Sequence, residues 1–100
     1  MAYVNGEQVE LQRGPVEGQL ATLINDLQVR MAERNGSLVM RFTQHEEVMR
    51  LAGMLGLGSI PECEGTFPTL VARIGKGLDS AYSEADLTLN IWNPRRRPPQ

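Results

Sequence analysis

The sequence contains very few of the residue types that carry most catalytic and metal chemistry. Its 100 residues include one cysteine, one histidine and one lysine. Because Cys63 is alone, no internal disulfide can form, and because His45 is alone, a zinc site would need carboxylates to complete it. We therefore expect no metal site and no catalytic residue, and the sequence predicts a protein that is not an enzyme.

The surroundings of these two residues also disfavour reactivity. His45 is followed by two glutamates, like the start of a zinc-protease motif, but the second histidine of that motif would stand at position 49, which is Met49. Cys63 lies between Glu62 and Glu64, and two negative charges disfavour its thiolate. One alternative stays open, an enzyme whose site is completed by a second copy of the chain.

Two glycine-rich stretches lack the order that nucleotide binding requires. Gly53, Gly56 and Gly58 end a predicted helix, whereas the dinucleotide-binding fingerprint follows a strand and opens a helix. Gly75 precedes the lysine, but a phosphate-binding loop needs another glycine five residues earlier, where the sequence has Leu70. We expect these glycines to form helix ends and turns, and we expect no cofactor.

Composition indicates a single cytoplasmic domain. Hydrophobic residues make up 41% of the chain and charged residues 22%, as in ordinary globular domains. The first ten residues show no basic segment followed by an apolar run, so we expect no secretion signal. The longest stretch low in charge, Leu51–Pro61, is too short to span a membrane.

The charge is divided unevenly between a body and a tail. Residues 1–94 carry seven basic and twelve acidic side chains, a net charge of −5, and the three arginines that follow bring the total to −2. An acidic body repels phosphate, so a broad nucleic-acid surface is not expected. Residues 95–100 offer nothing to pack, so we predict one domain over residues 1–94 and a disordered basic tail.

Turn residues indicate the first half of the fold. Asn5-Gly6 predicts a β-hairpin over Ala2–Leu11, because both central positions of a type I′ turn need positive φ. Gly14-Pro15 predicts the start of a long helix whose apolar residues recur every three or four positions. Asn35-Gly36 predicts its left-handed end. The apolar segment Ser37–Phe42 then predicts a strand.

The second half is less regular. Thr43 to Glu46 form a capping-box pattern, which predicts the start of a second helix. The stretch from Pro68 to Ala81 fits either a helix or a strand. Gly75 and Gly77 inside a helix would cost about 1.5–2 kcal/mol relative to alanine, so we favour a strand over Thr69–Ile74. Asp86–Trp92 alternates apolar and polar residues and predicts the last strand.

These elements predict an α+β fold in the order ββαβαββ. We expect a single antiparallel or mixed sheet of four or five strands with two helices packed on one face. One layer of helices leaves the other face of the sheet partly uncovered. A chain of this length cannot bury that face internally, so a partner or a second copy of the chain could cover it.

A small chain without catalytic groups must act through its surface. We therefore predict a protein-interaction module, such as an inhibitor, an adaptor or an accessory subunit, whose partner is another protein or a second copy of the chain. Its small size, acidic body and lack of catalytic groups are typical of such proteins from bacteria or phages. The alternative is a nucleic-acid-associated protein that uses its arginine tail. The predicted partner-binding residues are Met49, Met54, Trp92, Arg95, Arg96 and Arg97.

Overall fold

Five strands and three helices make up the part of the chain that the structure, a computed structural model, describes: residues 1–11, 18–57 and 65–95. The strands are β1 (Ala2–Val4), β2 (Glu7–Val9), β3 (Ser37–Phe42), β4 (Asp79–Ser83) and β5 (Thr88–Trp92). The helices are α1 (Gln19–Glu33), α2 (His45–Met54) and α3 (Thr66–Ile74). The predicted α+β class is confirmed, with one more helix than the sequence indicated.

All five strands form one sheet in the order β2-β1-β3-β5-β4, and every neighbouring pair is antiparallel. The central strand β3 pairs with β1 on one side and with β5 on the other. The N-terminal and C-terminal hairpins therefore flank a strand that stands alone between two helices in the sequence. The predicted hairpin is confirmed, since Asn5 has φ 51° and Gly6 has φ 86°.

The C-terminal end of helix α1 is as predicted. Gly36 donates its backbone N–H to the carbonyl of Met31 at 2.9 Å, and both Asn35 and Gly36 have positive φ. At its other end the helix begins at Gln19, directly after Gly18, which is left-handed with φ 89°. The predicted start at Gly14-Pro15 lies outside the described residues.

Helix α2 has its N-cap one residue later than predicted. The cap is Gln44, whose backbone N–H donates to Glu47 Oε1 at 3.1 Å, so the glutamate of the capping box is Glu47 and not Glu46. Thr43 donates its hydroxyl to the same oxygen at 2.6 Å. The helix ends at Met54, and Gly56 follows with φ 75°.

The strand predicted over Thr69–Ile74 is wrong, because this segment belongs to α3. The helix buries residues at helical spacing: Phe67, Leu70, Val71 and Ile74. Gly75 and Gly77, which counted against a helix, lie beyond its end and cost it nothing. The C-terminal hairpin is formed instead by β4 and β5, and β5 begins at Thr88 because Leu87 adopts φ 50° in the turn.

The three helices cover one face of the sheet. α1 and α2 both contact β3, and α3 contacts both of these helices. The ring of Phe67 on α3 lies 6.0 Å from Phe42 on β3 and 4.3 Å from Tyr82 on β4, measured between centroids. Met31 on α1 and Met40 on β3 are both buried in the core between the helices and the sheet.

Two glycine substitutions should change stability in opposite directions. A Cβ at Gly6 or at Gly53 would meet no atom within 4 Å, so neither substitution causes a clash. Gly6 has positive φ, and Gly6→Ala should lower the free energy of unfolding by about 1–2 kcal/mol. Gly53 lies inside α2, and Gly53→Ala should raise it by about 0.5–1 kcal/mol. Urea unfolding of both variants checks this, and a loss at both sites would contradict it.

Candidate functional site

The sheet has one covered face and one open face, and the alternation on β3 distinguishes them. Leu38, Met40 and Phe42 are buried under the helices, whereas Ser37, Val39 and Arg41 are exposed. Successive side chains of a strand point to opposite faces, so the residues paired with Ser37, Val39 and Arg41 share their face. The open face is thus defined by the strand register.

Three rows of residues cross the open face. Arg41 pairs with Tyr3 on one side and with Thr88 on the other. Val39 pairs with Asn90, which pairs in turn with Ala81. The third row joins Ser37, Trp92 and Asp79. We use the name open face for these residues together: Tyr3, Ser37, Val39, Arg41, Asp79, Ala81, Thr88, Asn90 and Trp92.

Two large hydrophobic side chains of the open face are exposed to solvent. Val39 is 39% exposed and Trp92 is 38% exposed. Val39 pairs with Asn90, two residues before Trp92, so the two side chains are diagonal neighbours across β3 and β5. Diagonal neighbours lie about 7–8 Å apart, within reach of an aromatic ring. A tryptophan and a valine therefore form a small apolar surface near the end of β5.

The other end of the open face carries an aromatic ring with a cation above it. The guanidinium carbon of Arg41 lies 5.2 Å from the centre of the Tyr3 ring. This geometry is a cation–π contact between β3 and β1. It holds the long Arg41 side chain against the sheet, with its charge exposed beside an aromatic surface.

The structure separates the residues predicted to bind a partner. Trp92 lies on the open face, whereas Met49 is exposed on α2, in the helix layer on the other side of the sheet. Met54, placed by the sequence at the margin of the apolar face of α2, is buried in the core. Arg95 is exposed, and its backbone N–H donates to Asn93 Oδ1 at 2.9 Å. Arg96 and Arg97 lie outside the described residues.

Of the nine residues of the open face, sequence reasoning identified only Trp92, and it missed the large side chains of Tyr3, Val39 and Arg41. The segment Ser37–Phe42 has apolar residues at both odd and even positions, so its pattern alone does not show which side faces water. The polar residues Ser37 and Arg41 were the sequence signal that the odd positions point outward. The pairing of β3 with β1 and β5 determines which residues share the open face, and this pairing depends on residues far apart in the sequence.

Glu47 is the one buried charged side chain among the described residues, with 8% of its side chain exposed. Its Oε1 atom accepts hydrogen bonds from the Met1 ammonium at 2.5 Å, the Thr43 hydroxyl at 2.6 Å and the Thr43 and Gln44 backbone N–H groups at 3.2 and 3.1 Å. Burial acts to raise the pKa of Glu47, but the ammonium and Thr43 outweigh it and lower the pKa from its ordinary value of 4.5. These contacts join β1 to α2, which is a structural role.

The residues considered for metal or catalytic chemistry do not converge in the described part of the chain. His45 is exposed at the first position of α2, and Cys63 lies outside the described residues. Within residues 1–11, 18–57 and 65–95, no group of three or more histidine, cysteine, aspartate or glutamate residues could hold a metal ion. No helix among these residues has the length and apolarity needed to cross a membrane.

The open face is therefore the candidate site, with exposed Trp92, Val39 and Arg41 and half-buried Tyr3. Comparison with known proteins finds no family model, no curated protein and no solved structure that matches this chain.

Proposed function

We propose that this protein is a small, non-enzymatic interaction module that binds a partner protein through the open face of its sheet. The observation that carries the proposal is the position of its only tryptophan, which stands exposed on this face beside Val39. An inhibitor, an adaptor or an accessory subunit of the bacterial or phage cytoplasm would act in this way, by covering a surface of its target.

The residue types on the open face support binding. An antiparallel sheet commonly has one solvated face, and polar side chains suffice there. This face instead presents tryptophan, tyrosine and arginine, the types most enriched in the energetically dominant positions of protein interfaces. Ser37, Thr88 and Asn90 lie among them and could form a polar surround. A partner that buried Trp92 would gain apolar contact without having to desolvate many charges.

A charge introduced on the open face should weaken binding strongly. We expect Val39→Lys to weaken the complex about 30-fold or more, the loss typical of a dominant interface position. The matched control is Val29→Lys, because Val29 is also a valine and is 48% exposed, but lies on α1. A partner captured from the native host is titrated into each purified variant, and the dissociation constant of each complex is measured.

Trp92 provides a direct reading of whether the open face is occupied. Because it is the only tryptophan, its fluorescence emission reports on this face alone. A bound partner should shift the emission to shorter wavelength and protect it from acrylamide quenching. A second copy acting as the partner would produce the same shift as the protein alone is concentrated, together with a doubled mass in light scattering. A tight partner that leaves Trp92 emission and quenching unchanged would contradict the proposal.

Nucleic-acid association is a second candidate, favoured by the position of Trp92 just before the arginines. An exposed indole can stack on a base while neighbouring arginines neutralise phosphates. Binding of a labelled single-stranded oligonucleotide, followed by anisotropy, should then weaken with salt with a logarithmic slope of about −2 for three arginines. Deleting residues 95–100 should abolish it. Binding that survives this deletion with the same salt slope would refute a role for the tail.

A further inference from the structure

We draw no further inference here: the strongest candidate, the outer edge of strand β4 at the exposed residues Asp79, Ser80 and Ala81, carries none because nothing in the described residues shows what would pair with it.

Discussion

Replacing Leu38 with alanine is expected to lower the free energy of unfolding by about 2–5 kcal/mol. Leu38 is fully buried on β3, the strand that joins the two hairpins of the sheet. Shortening it removes apolar contacts with the helix layer and leaves a cavity that neighbouring side chains fill only partly. Urea unfolding followed by circular dichroism measures the change. A domain of this size has a total stability of about 5–15 kcal/mol, so the variant loses a large part of it.

The adjacent residue supplies the control. Val39 belongs to the same strand but points to the open face, so Val39→Ala removes little buried surface and should cost about 1 kcal/mol or less. The contrast tests the register of β3, because a slip by one residue would exchange the two faces. Equal losses at Leu38 and Val39 would mean that both sides of the sheet are covered. The open face would then not exist as a binding surface in the isolated chain.

Local turn chemistry explains why some of the fold follows from sequence. Asn5-Gly6 and Asn35-Gly36 each place two residues at positive φ, a conformation that few residue types adopt. Such signals act over three or four residues and need no tertiary context. They correctly located the first hairpin and the end of α1, and with them the order of the first four elements.

The C-terminal third of the fold depends on tertiary contacts that the local sequence pattern does not show. Gly75 and Gly77 disfavour a helix only if they lie inside it, and the sequence does not show that α3 ends before them. The buried residues Phe67, Leu70 and Ile74 have helical spacing. β4 has the sequence Asp-Ser-Ala-Tyr-Ser, which shows no apolar alternation because an edge strand has few positions to bury. It is a strand because it pairs with β5, and that pairing depends on the tertiary structure.

The candidate site, like the fold, can be predicted only in part from the sequence. Trp92 was identified because a lone tryptophan beside arginines is notable in any sequence. Val39, its diagonal neighbour, and Tyr3, at the other end of the open face, come from two other strands, and only the sheet register places all three on one face. Met54 was also predicted to bind a partner, but the packing of α2 buries it. Exposure at a helix margin depends on the neighbouring element, which local sequence does not specify.

Replacing Glu47 with glutamine should destabilise the fold by about 1–3 kcal/mol at neutral pH, since it removes the charge from a buried acceptor of several hydrogen bonds. The Met1 ammonium would lose its ion pair, and the Thr43 and Gln44 backbone N–H groups would share a weaker acceptor. Glu46→Gln is the matched control, because Glu46 is the preceding residue of the same helix with a side chain 56% exposed. It should change stability by about 0.5 kcal/mol or less. Thermal or urea unfolding measures the stability of both variants. The chains carry no N-terminal tag, so that the Met1 ammonium is kept.

The pH dependence of the Glu47→Gln effect identifies the charge as its cause. The pKa of Glu47 is lowered in the folded protein, so its carboxylate stabilises the fold fully above the unfolded value near 4.5. As the pH falls below that value toward the folded pKa, the unfolded state binds the proton first and this contribution is lost. The stability difference between the natural chain and Glu47→Gln should therefore be constant from pH 7 to about 5.5 and should shrink below 4.5. A difference that persists unchanged at pH 3 would contradict this explanation, because the unfolded carboxyl is protonated there and a stabilisation that depends on the charge must have decreased.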